Sequence, residues 1–236
     1  MTPRPTAGRL YRAERRVRLS DADASGRVRR DAVARYLHDV AGDDLTDSGV
    51  GTRHETWVVR RTVIEVESPP RFGELLSVAT WCSGLGGRWA ERRTSLVGEH
   101  GGRVETASLW VYLDRRTLAP SRLSDDFLAM YGPSAGGRKV SSRFQLAWTP
   151  PAEAPATQWP VRATDIDVMG HVNNAAYWAA VEEVAASSPL EPPVRVTLEH
   201  GAGIDLGEKV ELAVDRGTIW FVVDGEVRAV ASTSRQ

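Results

Sequence analysis

The chain of 236 residues contains one cysteine and two lysines, and it has no long apolar run. Its single cysteine, Cys82, excludes an internal disulfide and any metal site built from several cysteines. No stretch approaches the roughly 18 consecutive apolar residues typical of a membrane-spanning helix. The amino-terminal residues also lack the apolar segment of a secretory signal. We therefore expect a cytoplasmic protein with no membrane span.

Charge is balanced over the chain as a whole but not along it. The formal net charge of −1 gives no indication of nucleic-acid binding. Residues 1–40, however, contain ten arginines against five acidic residues. This excess predicts either a surface that attracts an acidic partner or an ordinary solvated face.

The sequence repeats itself once. Residues 17–32 and 161–176 are identical at seven of sixteen positions, at an offset of 144. A second block matches in the same order at an offset of 134. Its matched pairs are Glu65 with Glu199, Gly73 with Gly207, and Glu74 with Glu208. A period this long indicates two copies of one domain rather than a solenoid.

Each copy predicts a short strand, a polar turn, one helix and then a run of antiparallel strands. The helix spacing covers Ala32–Ala41 in the first copy, and the second helix begins near Asn173 and is apolar nearly all round. The short strands are expected at 15–19 and 159–163, and the later strands at 56–67, 73–85, 88–99, 103–114, 194–200, 209–215, 218–224 and 226–233.

This pattern predicts an α+β fold in which each sheet wraps around a buried helix. We expect an N-terminal domain at 1–132, a linker at 133–157 that is rich in proline, glycine and alanine, and a C-terminal domain at 158–236. Within the linker, residues 141–148 form either a strand or a surface crossing.

One turn, residues 165–174, concentrates residues able to perform chemistry. Asn173 and Asn174 are the only asparagines of the chain, and Asp167 precedes His171 by four residues. A helix that starts here offers free N–H groups and a positive dipole, which suit stabilisation of an oxyanion. Asp167 is then a candidate general base or nucleophile. Aspartate, glycine and asparagine are also common turn and cap residues, so each one alone has a structural explanation.

The first copy keeps the framework of this turn but not all of its polar groups. Opposite the histidine and the two asparagines it carries arginines, namely Arg27, Arg29 and Arg30. Asp165 and Gly170 have counterparts in both copies, which indicates a scaffold role. Asp167 is ambiguous by this comparison, because Asp23 matches it.

The second turn and its helix, DIDVMGHVNNAAYWAAVEE at 165–183, resemble the signature of fatty acyl-ACP thioesterases of plants and their bacterial relatives. Residues 56–93 resemble the N-terminal half of the same family, and the likeness extends from about Tyr11 to about Glu211. It implies a tandem, or double, hotdog fold. It also implies that Asp167 and His171 are catalytic, and that Asn173 and Asn174 are the family's asparagine pair.

The chain departs from the family pattern at three positions. Met169 stands where members often have asparagine, and Gly203 and Ile204 stand where plant members have a Glu-Cys pair. A cysteine nucleophile is therefore not expected, since Cys82 lies in the other half within a predicted strand. These departures leave Asp167, His171 and backbone N–H groups to carry the reaction.

The reaction implied by the resemblance is hydrolysis of a thioester to a fatty acid and a free thiol. The substrate would be acyl carrier protein or CoA carrying an acyl group, with the acidic carrier docked on Arg27, Arg29 and Arg30. The acyl chain would enter an apolar tunnel, for which the candidate lining residues are Trp57, Trp81 and Trp89. Two tandem domains allow a monomer or a homodimer.

Two alternatives remain open from the residues alone. An aspartate and a histidine at a helix start also suit an enoyl-thioester hydratase or dehydratase. The departures at Met169, Gly203 and Ile204 are compatible with a non-catalytic acyl-binding protein. No cofactor and no metal are expected, because the sequence contains neither a glycine-rich phosphate loop after a strand nor a metal-ligand spacing.

Overall fold

A computed structural model describes residues 3–50, 55–114, 116–187 and 191–235. The helices are α1 (Arg30–Ser48), α2 (Asp125–Ala135) and α3 (Asn174–Ala186). The strands are β1 (Tyr11–Arg16), β2 (Glu55–Ser68), β3 (Leu75–Leu85), β4 (Trp89–Gly98), β5 (Arg103–Asp114), β6 (Ala156–Trp159), β7 (Val194–His200), β8 (Val210–Asp215), β9 (Thr218–Val223) and β10 (Glu226–Arg235).

These strands form one antiparallel sheet that displays the duplication. Its order is β1-β3-β4-β5-β2-β7-β10-β9-β8-β6, so the second half repeats the first in reverse. The halves meet where β2 pairs with β7, and Val63 lies opposite its own repeat, Thr197. Two ion pairs related by the repeat flank this point: Arg61 with Glu199, and Arg195 with Glu65. The predicted tandem hotdog is confirmed.

The central helices bury their apolar residues between each other and the sheet. Helix α3 buries Ala175, Tyr177, Trp178, Ala180 and Val181 in the main core, as its uniformly apolar sequence predicts. Helix α1 packs directly against α3 and contributes Val33, Leu37 and Val40 to the same core. The start of α1 is therefore fixed against the later part of α3, where Oε1 of Glu182 accepts the backbone N–H of Arg30.

Some elements differ from the sequence prediction. Helix α2 was not expected, and it crosses the predicted domain boundary at residue 132. Strand β1 ends at Arg16 and β6 at Trp159, several residues earlier than predicted, because short 3-10 turns occupy 19–21 and 163–165. In the described ranges, no helix is long and apolar enough to cross a membrane.

Residues 141–148 cross the surface of the sheet rather than add a strand. The fully buried carboxylate of Glu199 holds this segment by accepting hydrogen bonds from the backbone N–H groups of Gln145 and Leu146. The indole of Trp220 donates to the carbonyl oxygen of Ala147 at 2.8 Å. The predicted linker therefore serves as a cover over the C-terminal half.

Candidate active site

The turn before α3 is built by its own backbone and by one aspartate. The carboxylate of Asp165 accepts the N–H of Arg162, and its carbonyl oxygen accepts the N–H of Asn173 at 2.7 Å. Gly170 has a φ of 84°, a left-handed conformation that favours glycine. Asp165 and Gly170 thus occupy the positions expected of scaffold residues.

Asp167 is held at the start of α3 with spare hydrogen-bonding capacity. Its Oδ1 accepts the N–H of Met169 at 2.8 Å, and its Oδ2 accepts the Asn173 amide at 3.3 Å. Asn173 also caps the helix, because its Oδ1 accepts the N–H of Ala175 at 2.8 Å. Within the described part of the chain, the backbone N–H of Asn174 has no acceptor. The free helix N–H of Asn174 therefore directly follows the residue whose amide holds the Asp167 carboxylate.

His171 points away from that carboxylate. Its Nδ1 lies 2.5 Å from Oδ1 of Asp205, and both side chains are more than half exposed. Among the described residues, the ring makes no hydrogen bond to Asp167. A carboxylate on Nδ1 favours the tautomer with the proton on Nδ1, which leaves Nε2 free as an acceptor.

The three departures from the family pattern have a geometric account. A Cβ at Gly203 would lie 2.9 Å from Cγ of His171, so any side chain there displaces the ring. Ile204 is fully buried in the core, and its carbonyl oxygen accepts the N–H of Val172. The side chain of Met169 is exposed, and only its backbone serves Asp167. Asp205, two residues after Gly203, supplies a carboxylate that the sequence comparison did not identify.

An apolar cavity of about 240 Å³ lies under α1 in the N-terminal half. One face of α1 lines it with His38, Ala41, Gly42 and Leu45. Its other walls, from the sheet and α2, are Trp57, Cys82, Ala90, Glu91, Arg92, Trp110 and Phe127.

Of the three tryptophans expected to line an acyl tunnel, only Trp57 lines this cavity. Trp81 is buried within β3, and the indole of Trp89 donates to the carbonyl oxygen of Val140. Burial raises the pKa of Cys82 to about 11, so the thiol in the cavity wall is not a thiolate nucleophile near neutral pH.

The arginines predicted to dock an acidic carrier are largely engaged within the molecule. Arg30 is only 12 % exposed and pairs with Glu182. Arg29 forms a two-bond ion pair with Asp31. Arg27 is the most accessible of the three and lies 3.4 Å from Glu191. A docking role therefore depends chiefly on Arg27.

Two further residues belong to the candidate site and were missed from the sequence. Asp205 was not identified because it lies one residue after the positions of the family's Glu-Cys pair. His38 was not identified because a single histidine in a helix matches no sequence motif. In the alignment of the two repeats it corresponds to Glu182. In the described ranges, no group of three or more His, Cys, Asp or Glu side chains could hold a metal ion.

Comparison with known sequences places the chain in a family. The profile of the acyl-ACP thioesterase N-terminal domain matches residues 8–131, and that of the C-terminal domain matches residues 149–229. Uncharacterized protein Rv2001 of Mycobacterium tuberculosis is 35% identical, with 100% of this chain and 96% of that protein aligned. Oleoyl-acyl carrier protein thioesterase 1 of Arabidopsis thaliana is 30% identical over 52% of this chain and 37% of its own length.

Among solved structures, the 12:0-ACP thioesterase from Umbellularia californica has the same fold, with a TM-score of 0.78. The alignment covers 96% of this chain and 98% of that one, at 21% identity. With both domain profiles matched in order, the chain belongs to the acyl-ACP thioesterase family.

Proposed function

We propose that this protein hydrolyses acyl-ACP thioesters and so releases fatty acids during fatty acid biosynthesis. Family membership supports thioester hydrolysis. The observation that carries the proposal is the position of the Asp167 carboxylate, which accepts the side-chain amide of Asn173 at the start of α3, one residue before the free N–H of Asn174. Helix α1 packs against α3, and His38 of α1 lines the apolar cavity, which is therefore the candidate site for the acyl chain.

The chemistry begins with a water molecule that donates a hydrogen bond to Oδ2 of Asp167, beside the amide of Asn173. The carboxylate takes one proton while the hydroxide adds to the carbonyl carbon of the thioester. The negative charge that develops on the carbonyl oxygen is stabilised by the N–H of Asn174 and the positive end of α3. The C–S bond then breaks with its electron pair on sulfur, and the proton passes to the thiolate. The products are a carboxylic acid and a free thiol.

His171 and Asp205 assist from the exposed side of the turn. With Nδ1 held by Asp205, the Nε2 lone pair is directed away from Asp205 and is free to accept a proton from water. At this exposed position the imidazole relays, through water, the proton that Asp167 took up to the departing thiolate, which becomes the free thiol. Asn173 positions Asp167 through its amide while it caps the helix.

The carrier protein is assigned as the substrate's thiol component because of the arginine content of the N-terminal half. Residues 1–40 have an excess of five positive charges. Arg27 lies at the position of the first turn that corresponds to His171, and it remains accessible. An acidic carrier protein complements this surface.

The test is free-thiol release from acyl-ACP, acyl-CoA and acyl-pantetheine thioesters, with wild type, Asp167→Ala and Asp23→Ala. Asp23 is the matched control, since it occupies the same place in the first turn. We expect release by wild type, loss of at least about 100-fold in Asp167→Ala, and a rate near wild type in Asp23→Ala.

Equal rates for all three proteins would remove Asp167 from the chemistry. Water addition to enoyl thioesters without thiol release would instead identify a hydratase. Binding of acyl thioesters with no turnover would identify an acyl-binding protein. Faster release from CoA than from carrier protein would leave hydrolysis intact and overturn the carrier assignment.

A further inference from the structure

The repeat predicts which residue faces the start of α3. At the offset of 144, His38 corresponds to Glu182, and Asn174 corresponds to Arg30. In the structure, Oε1 of Glu182 accepts the backbone N–H of Arg30 at 2.6 Å, which is the first N–H of α1. By the repeat, the same arrangement predicts that the His38 side chain lies over the first N–H of α3, that of Asn174.

The environment of His38 agrees with this placement. Its ring lines the cavity under α1, and the charge of Asp167 acts on it. The ring makes an edge contact with Trp110, at 5.9 Å between centroids. Among the described residues, neither ring nitrogen has a hydrogen-bond partner. A polar group therefore stands unused between the cavity and the hydrolytic turn.

We propose that His38 is a catalytic residue of the thioesterase reaction, which donates a hydrogen bond to the thioester carbonyl oxygen together with the N–H of Asn174. This inference rests on the proposed function. The oxyanion is then held by two donors, one from each half of the chain. The acyl chain leaves the reacting carbonyl past His38 and continues into the cavity.

The ring is neutral when it performs this role. Burial lowers the pKa of His38, against the smaller opposing effects of Asp39 and Asp167. A neutral imidazole still has one N–H to donate, and it leaves the charge of Asp167 available to activate water. A second donor matters because removal of one donor from an oxyanion site costs about 100- to 1000-fold in kcat.

His38→Leu and His38→Gln separate this role from a merely structural one. Leucine fills similar space without a donor, whereas glutamine restores an N–H. We expect His38→Leu to lose about 100-fold in kcat with little change in KM, and His38→Gln to recover at least about tenfold of that loss. Circular dichroism and the unfolding midpoint verify that both variants fold.

A second measurement does not require turnover. A ketone analogue of acyl-pantetheine, with CH₂ in place of sulfur and ¹³C at the carbonyl, reports hydrogen bonding through its infrared stretching frequency. We expect a lower frequency when it is bound to wild type or His38→Gln than when it is bound to His38→Leu.

The outcomes distinguish the two proposals. Thiol release by wild type that is lost in Asp167→Ala but unchanged in His38→Leu overturns the role of His38 alone. A wild type that releases no thiol overturns the proposed function, and the carbonyl frequency then still decides whether His38 donates to the bound carbonyl. Equal frequencies in all three proteins refute the inference.

Discussion

The turns before the two central helices differ in how fully their aspartates are hydrogen-bonded. In the first half the aspartate is held by more hydrogen bonds from its own turn than in the second half. Oδ1 of Asp23 accepts three hydrogen bonds, from the N–H and hydroxyl of Ser25 and the N–H of Arg27. These bonds outweigh partial burial and lower the pKa of Asp23. Asp167 at the same place accepts two, of which the one at Oδ2 is long.

The backbone of the two turns is the same in detail. Each has an isolated bridge to the loop before the corresponding later strand, Arg27 with Arg71 and His171 with Asp205. Two like charges in the first turn are replaced by a hydrogen-bonded histidine and carboxylate in the second. The same backbone conformation therefore accommodates two different sets of side chains, so the conformation of the turn does not depend on the polar residues of the second half.

The helix starts differ in the same way. The first N–H of α1 is occupied by Glu182, which also pairs with the Arg30 side chain. The first N–H of α3 has no acceptor in the described residues. An acidic side chain therefore occupies the start of α1, whereas the start of α3 keeps an N–H that a bound group could use.

The largest expected effect on this comparison comes from Asp205→Asn. An amide at this place no longer fixes the His171 tautomer or stabilises an imidazolium, so we expect kcat to fall by about 100-fold. Arg71→Gln at the matching place in the first half should leave kcat unchanged. Thiol-release kinetics measure both, and an Asp205→Asn rate within about threefold of wild type would contradict the role of the pair.

The next effect concerns stability and pH. Burial, with smaller contributions from His38 and Arg60, lowers the pKa of His200 to about 3, whereas in the unfolded chain this histidine has the ordinary pKa of 6.5. Between these values the unfolded state binds the extra proton. The free energy of unfolding should therefore fall as pH drops below about 6.5, by up to about 1.4 kcal/mol per pH unit.

His200→Val introduces the residue found at the corresponding place of the first half, Val66. We measure the free energy of unfolding in urea between pH 7 and pH 5. Its slope against pH should decrease in this variant by the contribution of about one proton. His100→Gln, at an exposed histidine, is the control and should keep the full slope. An unchanged slope in His200→Val would show that His200 is not the proton-linked group.

A smaller effect is expected for Gly203→Ala. The new Cβ would lie 2.9 Å from Cγ of His171, so the ring must move relative to Asp205. We expect about tenfold lower kcat with an unfolding midpoint near wild type. Gly87→Ala is the control, because a Cβ there meets no atom within 4 Å. A normal kcat in Gly203→Ala would indicate that the precise ring position is unimportant.

The smallest effect is expected for Arg27→Glu. We expect kcat/KM to fall about threefold to tenfold for acyl-ACP at low salt and to be unchanged for acyl-pantetheine. Arg216→Glu makes the same charge change at the tip of the β8–β9 hairpin and should leave both rates unaltered. Equal losses on both substrates would show that Arg27 acts through the fold and not through docking.

Much of the fold could be predicted from periodicity and from the repeat, since most strand limits agree within two residues. Helix α2 could not, because Gly132 and Pro133 made its last turn resemble a linker. Its signals were nevertheless present: Ser124 caps the start and Gly136 ends the helix in a left-handed conformation.

Only the part of the candidate site that lies within residues 165–174 could be predicted from the sequence. Asp167 and Asn173 lie six residues apart in the same turn, and their side chains form a hydrogen bond. Their closeness in sequence was enough to group them in one candidate site. Asp205 reaches the turn from a loop that only the fold brings there, and His38 belongs to a helix of the other half that packs against α3. Extension of the repeat alignment into the helices would have pointed to position 38, since its counterpart Glu182 is one of two acidic residues in a largely apolar helix.

The junction between β2 and β7 has a consequence for assembly. Each strand carries an arginine and a glutamate four residues apart, Arg61 and Glu65 on β2, Arg195 and Glu199 on β7. The repeat axis passes between Val63 and Thr197, midway between the arginine and the glutamate of each strand. An antiparallel pair of two identical strands would therefore also place each arginine opposite a glutamate. Charge alone therefore does not select the mixed pairing. The covalent connection between the halves selects it, by keeping the partner strand at high effective concentration. A separately expressed half would present a self-complementary edge, and exchange of halves between chains would build the same junction.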